Sequence, residues 1–223
     1  VRLQREFYPW VLLIISLISI FFLLDLYEGG TRSLHLDEVA TLADGKKRQT
    51  NPDFRSQHAW FMDFFYWWAE GSDSLTRLRV PVLLVTTMGL AALGLITFLL
   101  CRARTAFFAV LAALSLPLVW RWGVEIRFYG ALFLLSTLAL FALYLVMRGW
   151  VFVGVVLAGI FNFLPYKIHP ASIPFHGMMG GFTLLAACYQ GWLSIKSLRF
   201  EKENLSARER RSHVGRLVFL GGV

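Results

Sequence analysis

Phe7 to Leu24 is a run of 18 residues without a charge, and nothing else in the chain restricts its folding options so strongly. At 1.5 Å per residue such a run covers the roughly 30 Å hydrocarbon core of a bilayer. A signal peptide has a shorter apolar region and a small-residue cleavage site, and none precedes Asp25. The run therefore reads as transmembrane helix 1, with Arg2 and Arg5 holding its amino end inside. Further uncharged runs lie between Arg79 and Arg102, Arg104 and Arg121, Arg127 and Arg148, and Arg148 and Lys167, giving helices 2 to 5. Helix 6 falls within Ser172 to Ile195, and Leu217 to Val223 begins a seventh. The expectation is an all-α polytopic membrane protein with about six complete transmembrane helices plus the start of a seventh. Residues 1–223 read as one module, a fragment whose carboxy-terminal part and initiator Met are missing.

Composition agrees, because 57% hydrophobic and 16% charged residues lie outside the range of a soluble domain. A net charge of +8 raises the question of nucleic acid, but the basic residues are scattered over short loops and form no stripe. Their distribution sets orientation instead. With the amino end inside, inner segments hold 12 Lys and Arg and the short outer loops 3, while the long first loop adds 7 outside. Short loops follow the positive-inside rule best, which makes the first loop extracytoplasmic. Cys101 and Cys188 lie in apolar runs and indicate neither a disulfide framework nor a Cys-based metal site.

That first loop, residues 27–79, opens with Leu34-His35-Leu36-Asp37-Glu38-Val39-Ala40. Paired carboxylates are poor membrane anchors, a task suited to Trp, Tyr, Lys and Arg. They read as a site, with the first turn of a surface helix as the plainer alternative. Lys46, Lys47 and Arg48, followed by Asn51-Pro52, read as a solvated turn. Trp60, Phe61, Phe64, Phe65, Trp67 and Trp68, with Asp63 and Glu70 among them, recur at helical spacing and predict an interfacial helix.

Two later outer loops carry polar clusters. In Glu125-Ile126-Arg127-Phe128-Tyr129 an extended backbone puts Glu125, Arg127 and Tyr129 on one face, whereas a helix aligns Glu125 with Tyr129 and turns Arg127 away. Arg127 facing the Asp37 pair suits bidentate phosphate binding; the alternative is a snorkelling Arg beside a belt Tyr. Tyr166-Lys167-Ile168-His169-Pro170 lies on the same side. Pro165, Pro170 and Pro174 predict irregular backbone there, tolerated at membrane depth where it lines a cavity. Lys167 and His169 are candidates to meet a lipid phosphate or to line that cavity. Gly177-Met178-Met179-Gly180-Gly181 fits helix packing.

Taken in order, the first span, Leu-His-Leu-Asp37-Glu38-Val-Ala, His58 before the aromatic segment, Glu70-Gly-Ser-Asp-Ser-Leu-Thr-Arg-Leu-Arg79-Val-Pro81 and Glu125-x-Arg127-x-Tyr129 resemble the GT-C membrane glycosyltransferases. Protein O-mannosyltransferases and the bacterial aminoarabinose transferases of lipid A are the most similar. Family members often show His-Pro-Pro where this chain has His58-Ala59-Trp60. The resemblance implies transfer of a sugar from a polyprenyl-phosphate donor to a hydroxyl-type acceptor on a protein, lipid or glycan. It places the site at the extracytoplasmic face of a membrane, here the bacterial inner membrane. It implies Asp37 as base, Glu38 as its partner or a helix cap, Arg127 with Lys167 on the donor phosphate, and Glu125 and Tyr129 orienting Arg127. It assigns no cofactor and leaves a divalent metal open, with His58 and His169 as possible cavity residues. A transporter or lipid flippase is the competing class, and predicts ionisable residues within spans and broken helices; a purely structural membrane subunit is the third.

Overall fold

The computed structural model describes residues 2–34, 36–51, 67–68, 74–169 and 172–220. Among them every regular element is a helix: α1 (Arg2–Thr31), α2 (Leu36–Thr50), α3 (Leu75–Leu100), α4 (Ala103–Leu114), α5 (Pro117–Val124), α6 (Tyr129–Met147), α7 (Val151–Ile168) and α8 (Ile173–Leu220). Four helices are long and apolar enough to cross a membrane: α1 from Tyr8, α3, α6 and α7. Together, α4 and α5 meet the same test as a pair bent by 77°, the geometry of a broken span or a re-entrant loop.

The break follows from Pro117. Its ring disfavours helical backbone at the preceding residue, and Leu116 is extended with ψ 121°. Pro117 then starts α5, where its missing N–H costs nothing. The carbonyls left at the end of α4 are satisfied locally: Ser115 N–H donates to Leu111 and Ala112, Ser115 Oγ donates to Ala112, and the Trp120 indole N–H donates to the Leu114 carbonyl. A sharp turn joins α6 to α7, with Gly149 at φ +88°. Gly149 N–H donates to Val146 and Trp150 N–H to Leu145, the Schellman arrangement that ends a helix on a left-handed residue.

Packing is close where residues are small. A β-carbon at Gly154 of α7 would sit 2.8 Å from the Ala142 carbonyl and the Val146 nitrogen of α6, so the two backbones touch. Helix α1 packs on α3, α4 and α5, α3 packs on α6, and α8 covers α6 and α7. Phe21, Leu83, Leu90, Val110, Leu114 and Val119 form the core between α1, α3, α4 and α5.

Three local expectations change. Lys46 and Lys47 belong to α2 rather than a turn, where positive charge near the carboxyl end complements the helix dipole. Pro165 and Pro174 are both accommodated in helices: Pro165 lies in the last turn of α7, at the cost of one helical N–H bond, and Pro174 is the second residue of α8, where a proline N–H is not needed. Helix α8 is continuous for 48 residues, carrying the expected helix 6 on through Lys196–Arg216, a segment rich in Glu, Lys, Arg and Leu that favours helix. Leu217–Leu220 is its end, and residues 221–223 lie outside the described residues. So do His58, Trp60, Phe61, Asp63, Phe64, Phe65 and Glu70 of the first loop; Trp67 and Trp68 are helical.

Candidate functional site

The ends of α1, α3, α5 and α6 and the start of α2 meet around Arg79. This residue is on the second turn of α3, whose start is fixed by Ser74 accepting from the Arg77 N–H. Arg79 is 2% exposed. Its Nη1 donates to the carbonyls of Gly29 at 2.8 Å and Arg32 at 2.7 Å, and its Nη2 to the Ser33 carbonyl at 3.0 Å. The turn leaving α1 is thus wrapped around the guanidinium. Its Nε and Nη2 form a fork on the Glu38 carboxylate at 3.1 and 2.9 Å, the bidentate geometry of a strong charge-assisted pair.

Glu38, in the first turn of α2, is 1% exposed. Besides Arg79, its Oε1 accepts the N–H of Ile126 at 2.9 Å, across 88 residues of sequence. Ile126 is fully buried and packs with Leu78 and Val82, flanked by Leu34 and Leu42. A polar lock above a small apolar cluster therefore joins the Asp37-Glu38 segment to the Glu-x-Arg-x-Tyr segment, and the two motifs are neighbours. Glu38, expected among the reacting carboxylates, has the surroundings of an anchor: buried, paired and fixing the backbone beside it. Asp37 precedes it in the same turn of α2; the Asp37 side chain lies outside those described.

The second motif is neither extended nor helical. Helix α5 ends at Val124, residues 125–128 turn, and the Arg127 N–H donates to the Glu125 carbonyl at 2.7 Å. The expected orienting contacts to Arg127 change accordingly. The Glu125 carboxylate accepts from Arg121 Nε, its neighbour one turn back on the same helix face. Tyr129 opens α6 and stacks on Trp122 with centroids 6.2 Å apart. Arg127 is half-buried.

The third loop arrives through aromatic contact. His169 caps α7 and stacks on Phe128, centroids 4.2 Å apart and planes 22° apart. Lys167 does not follow it inward: it is exposed, with its ammonium 5.4 Å from the Phe163 ring and 5.8 Å from the Tyr166 ring. Both distances are those of cation–π contacts within α7. No group of three His, Cys, Asp or Glu side chains that could hold a metal ion occurs among the described residues; His58 lies outside them.

Three features escaped the sequence reading. Arg79 was legible only as a motif letter, although an Arg within the first turns of an apolar helix needs buried partners. Asp25 of α1 is 1% exposed, and neither carboxylate oxygen has a hydrogen-bond partner among the described residues. It faces Gly123, where a β-carbon would lie within 1.8 Å of its Oδ2. In the other half of the bundle His176 of α8 bridges Asn162 of α7 at 3.0 Å and Ser136 of α6 at 3.3 Å. No family model matches the chain, and neither does any curated protein or solved structure.

Proposed function

We propose that the chain is the membrane module of a GT-C type glycosyltransferase, with six spans, the first loop outside, and its site at the extracytoplasmic face of a bacterial inner membrane. The observation that carries this reading is the hydrogen bond from the Ile126 N–H to Glu38, locked by Arg79. It sets the segment bearing Asp37 against the segment bearing Arg127, as a reaction needing a base and a phosphate clamp requires. In the proposed reaction Asp37 accepts the proton of an acceptor hydroxyl as its oxygen attacks the anomeric carbon. The bond from that carbon to the polyprenyl-phosphate oxygen breaks, and Arg127 stabilises the charge left on the phosphate. Glu38 and Arg79 position both.

A second reading, transporter or flippase, draws on the Asp25 carboxyl buried within α1 and on the broken α4–α5 span. One experiment separates them: the complete protein in sealed vesicles, given a panel of polyprenyl-phosphate sugars labelled in the sugar. The transferase reading expects label on an acceptor together with free polyprenyl phosphate. Movement of intact labelled lipid between leaflets, with no cleavage, would establish the other.

A further inference from the structure

Where the end of α1 meets the α4–α5 break lies an open cleft of about 520 Å³ lined by Glu28, Arg32, Ser115, Pro117, Trp120 and Arg121. That volume is in the range of small-molecule sites. We propose that this cleft binds the headgroup of a zwitterionic phospholipid, phosphate and ammonium together, at the membrane boundary. It meets the proposed transfer site at one point, because Arg121 is paired with Glu125 of the second motif.

The chemistry of the lining selects the ligand. Arg32 follows the end of α1 and Arg121 lies on α5; Arg121 Nε is held by the Glu125 carboxylate, and Arg32 Nη1 reaches Glu28 at 3.4 Å. Two guanidiniums lining one recess suit one phosphate. Glu28 is the one acid in the lining, bound to Arg32 only at 3.4 Å and with its side chain 49% exposed. Beside it stands the Trp120 ring, whose N–H is spent on the Leu114 carbonyl and whose edge is set by Phe21, centroids 5.1 Å apart. A carboxylate next to an indole face is a receptor for an ammonium group. A purely anionic headgroup would compete with Glu28 for Arg32 and offer Glu28 no cation in return.

Position selects a lipid over a soluble zwitterion. Glu28 is in the last turn of the span Tyr8–Thr31. Apolar side chains flank the cleft on the outside of the bundle: Leu24 and Tyr27 of α1 are 52% and 74% exposed, and Leu116 and Leu118 at the helix break are each 54% exposed. Acyl chains have a surface to lie on directly beside a polar recess.

The test uses the full chain in nanodiscs of equal phosphatidylethanolamine and phosphatidylglycerol, with lipids retained after release counted by native mass spectrometry. Wild type should retain phosphatidylethanolamine in about threefold to fivefold excess, as expected of one added ionic contact at a half-exposed site. Glu28→Gln should bring the ratio to that of the bulk, and Arg32→Gln should reduce retention of both lipids while leaving melting unchanged. Soluble glycerophosphoethanolamine at matched concentration should not displace the lipid. Wild-type retention at the bulk ratio, an undiminished preference in Glu28→Gln, or full displacement by the soluble headgroup would overturn the proposal.

Discussion

Arg79 has five N–H groups, and protein oxygens accept all of them. It has no donor to spare for a substrate, so its contribution to any reaction is the geometry it imposes. Removing its partner strands a buried cation, which typically costs about 3–5 kcal/mol. Glu38→Ala should therefore lower stability by about that amount, read as earlier loss of helical signal in a denaturant titration. Asp37→Asn, by contrast, should leave the unfolding curve in place and reduce sugar transfer by roughly 100-fold or more, the usual scale of a positioned base. A turnover near wild type in Asp37→Asn would remove that residue from the mechanism. Arg127→Lys distinguishes a clamp from an anchor. A lysine keeps charge and snorkels equally well but loses the fork, so donor affinity should fall nearly as far as in Arg127→Ala. Near-normal transfer by the Lys variant would sink the bidentate role. At this scale the sequence was informative about residue types and less so about partners. Asp37-Glu38 and Arg127 could be singled out from chemistry alone, but pairing Glu125 with Arg121 depended on where α5 ends.

Helices were legible wherever composition alone decides. Uncharged runs bounded by charged residues mark α1, α3, α6 and α7 because lipid demands both apolarity and internal hydrogen bonding. The bend between α4 and α5 was not, since Ser115-Leu116-Pro117 sits inside a run that hydropathy treats as unbroken. Polar sequence was also misjudged where helix propensity outweighed it, as in Lys46-Lys47 and in the charged half of α8. Close contacts between elements yield a further test. Ala at Gly154 would meet the α6 backbone, so Gly154→Ala should cost about 1–3 kcal/mol by overpacking. On the same helix nothing lies within 4 Å of a β-carbon at Gly159. Gly159→Ala should stabilise by about 0.5–1 kcal/mol through helix propensity. Thermal melts of the two variants should move in opposite directions from wild type; a shared direction would mean that α6 and α7 are not in backbone contact there.

For the molecule as a whole, the three outer-loop motifs gather at one end of the bundle while the basic part of α8 extends from the other end of its first turns. If short-loop charge sets orientation, a Cys at Thr50 should react with a membrane-impermeant maleimide added to intact cells, and one at Ser206 only after permeabilisation. Both belong in a background lacking Cys101 and Cys188. Labelling of both from one side would discard the proposed topology.

The hydrogen bond between Ile126 and Glu38 also dictates an order of events during synthesis. Glu38 leaves the ribosome 41 residues before Arg79 and 88 before Ile126. At about 5–20 residues per second, the carboxylate waits roughly 2–8 s for its cation and roughly 4–18 s for the amide. Until then the first loop has no fixed place on the growing bundle. The junction between the two motifs is consequently a late product of biogenesis, completed only when α5 has turned back toward α2.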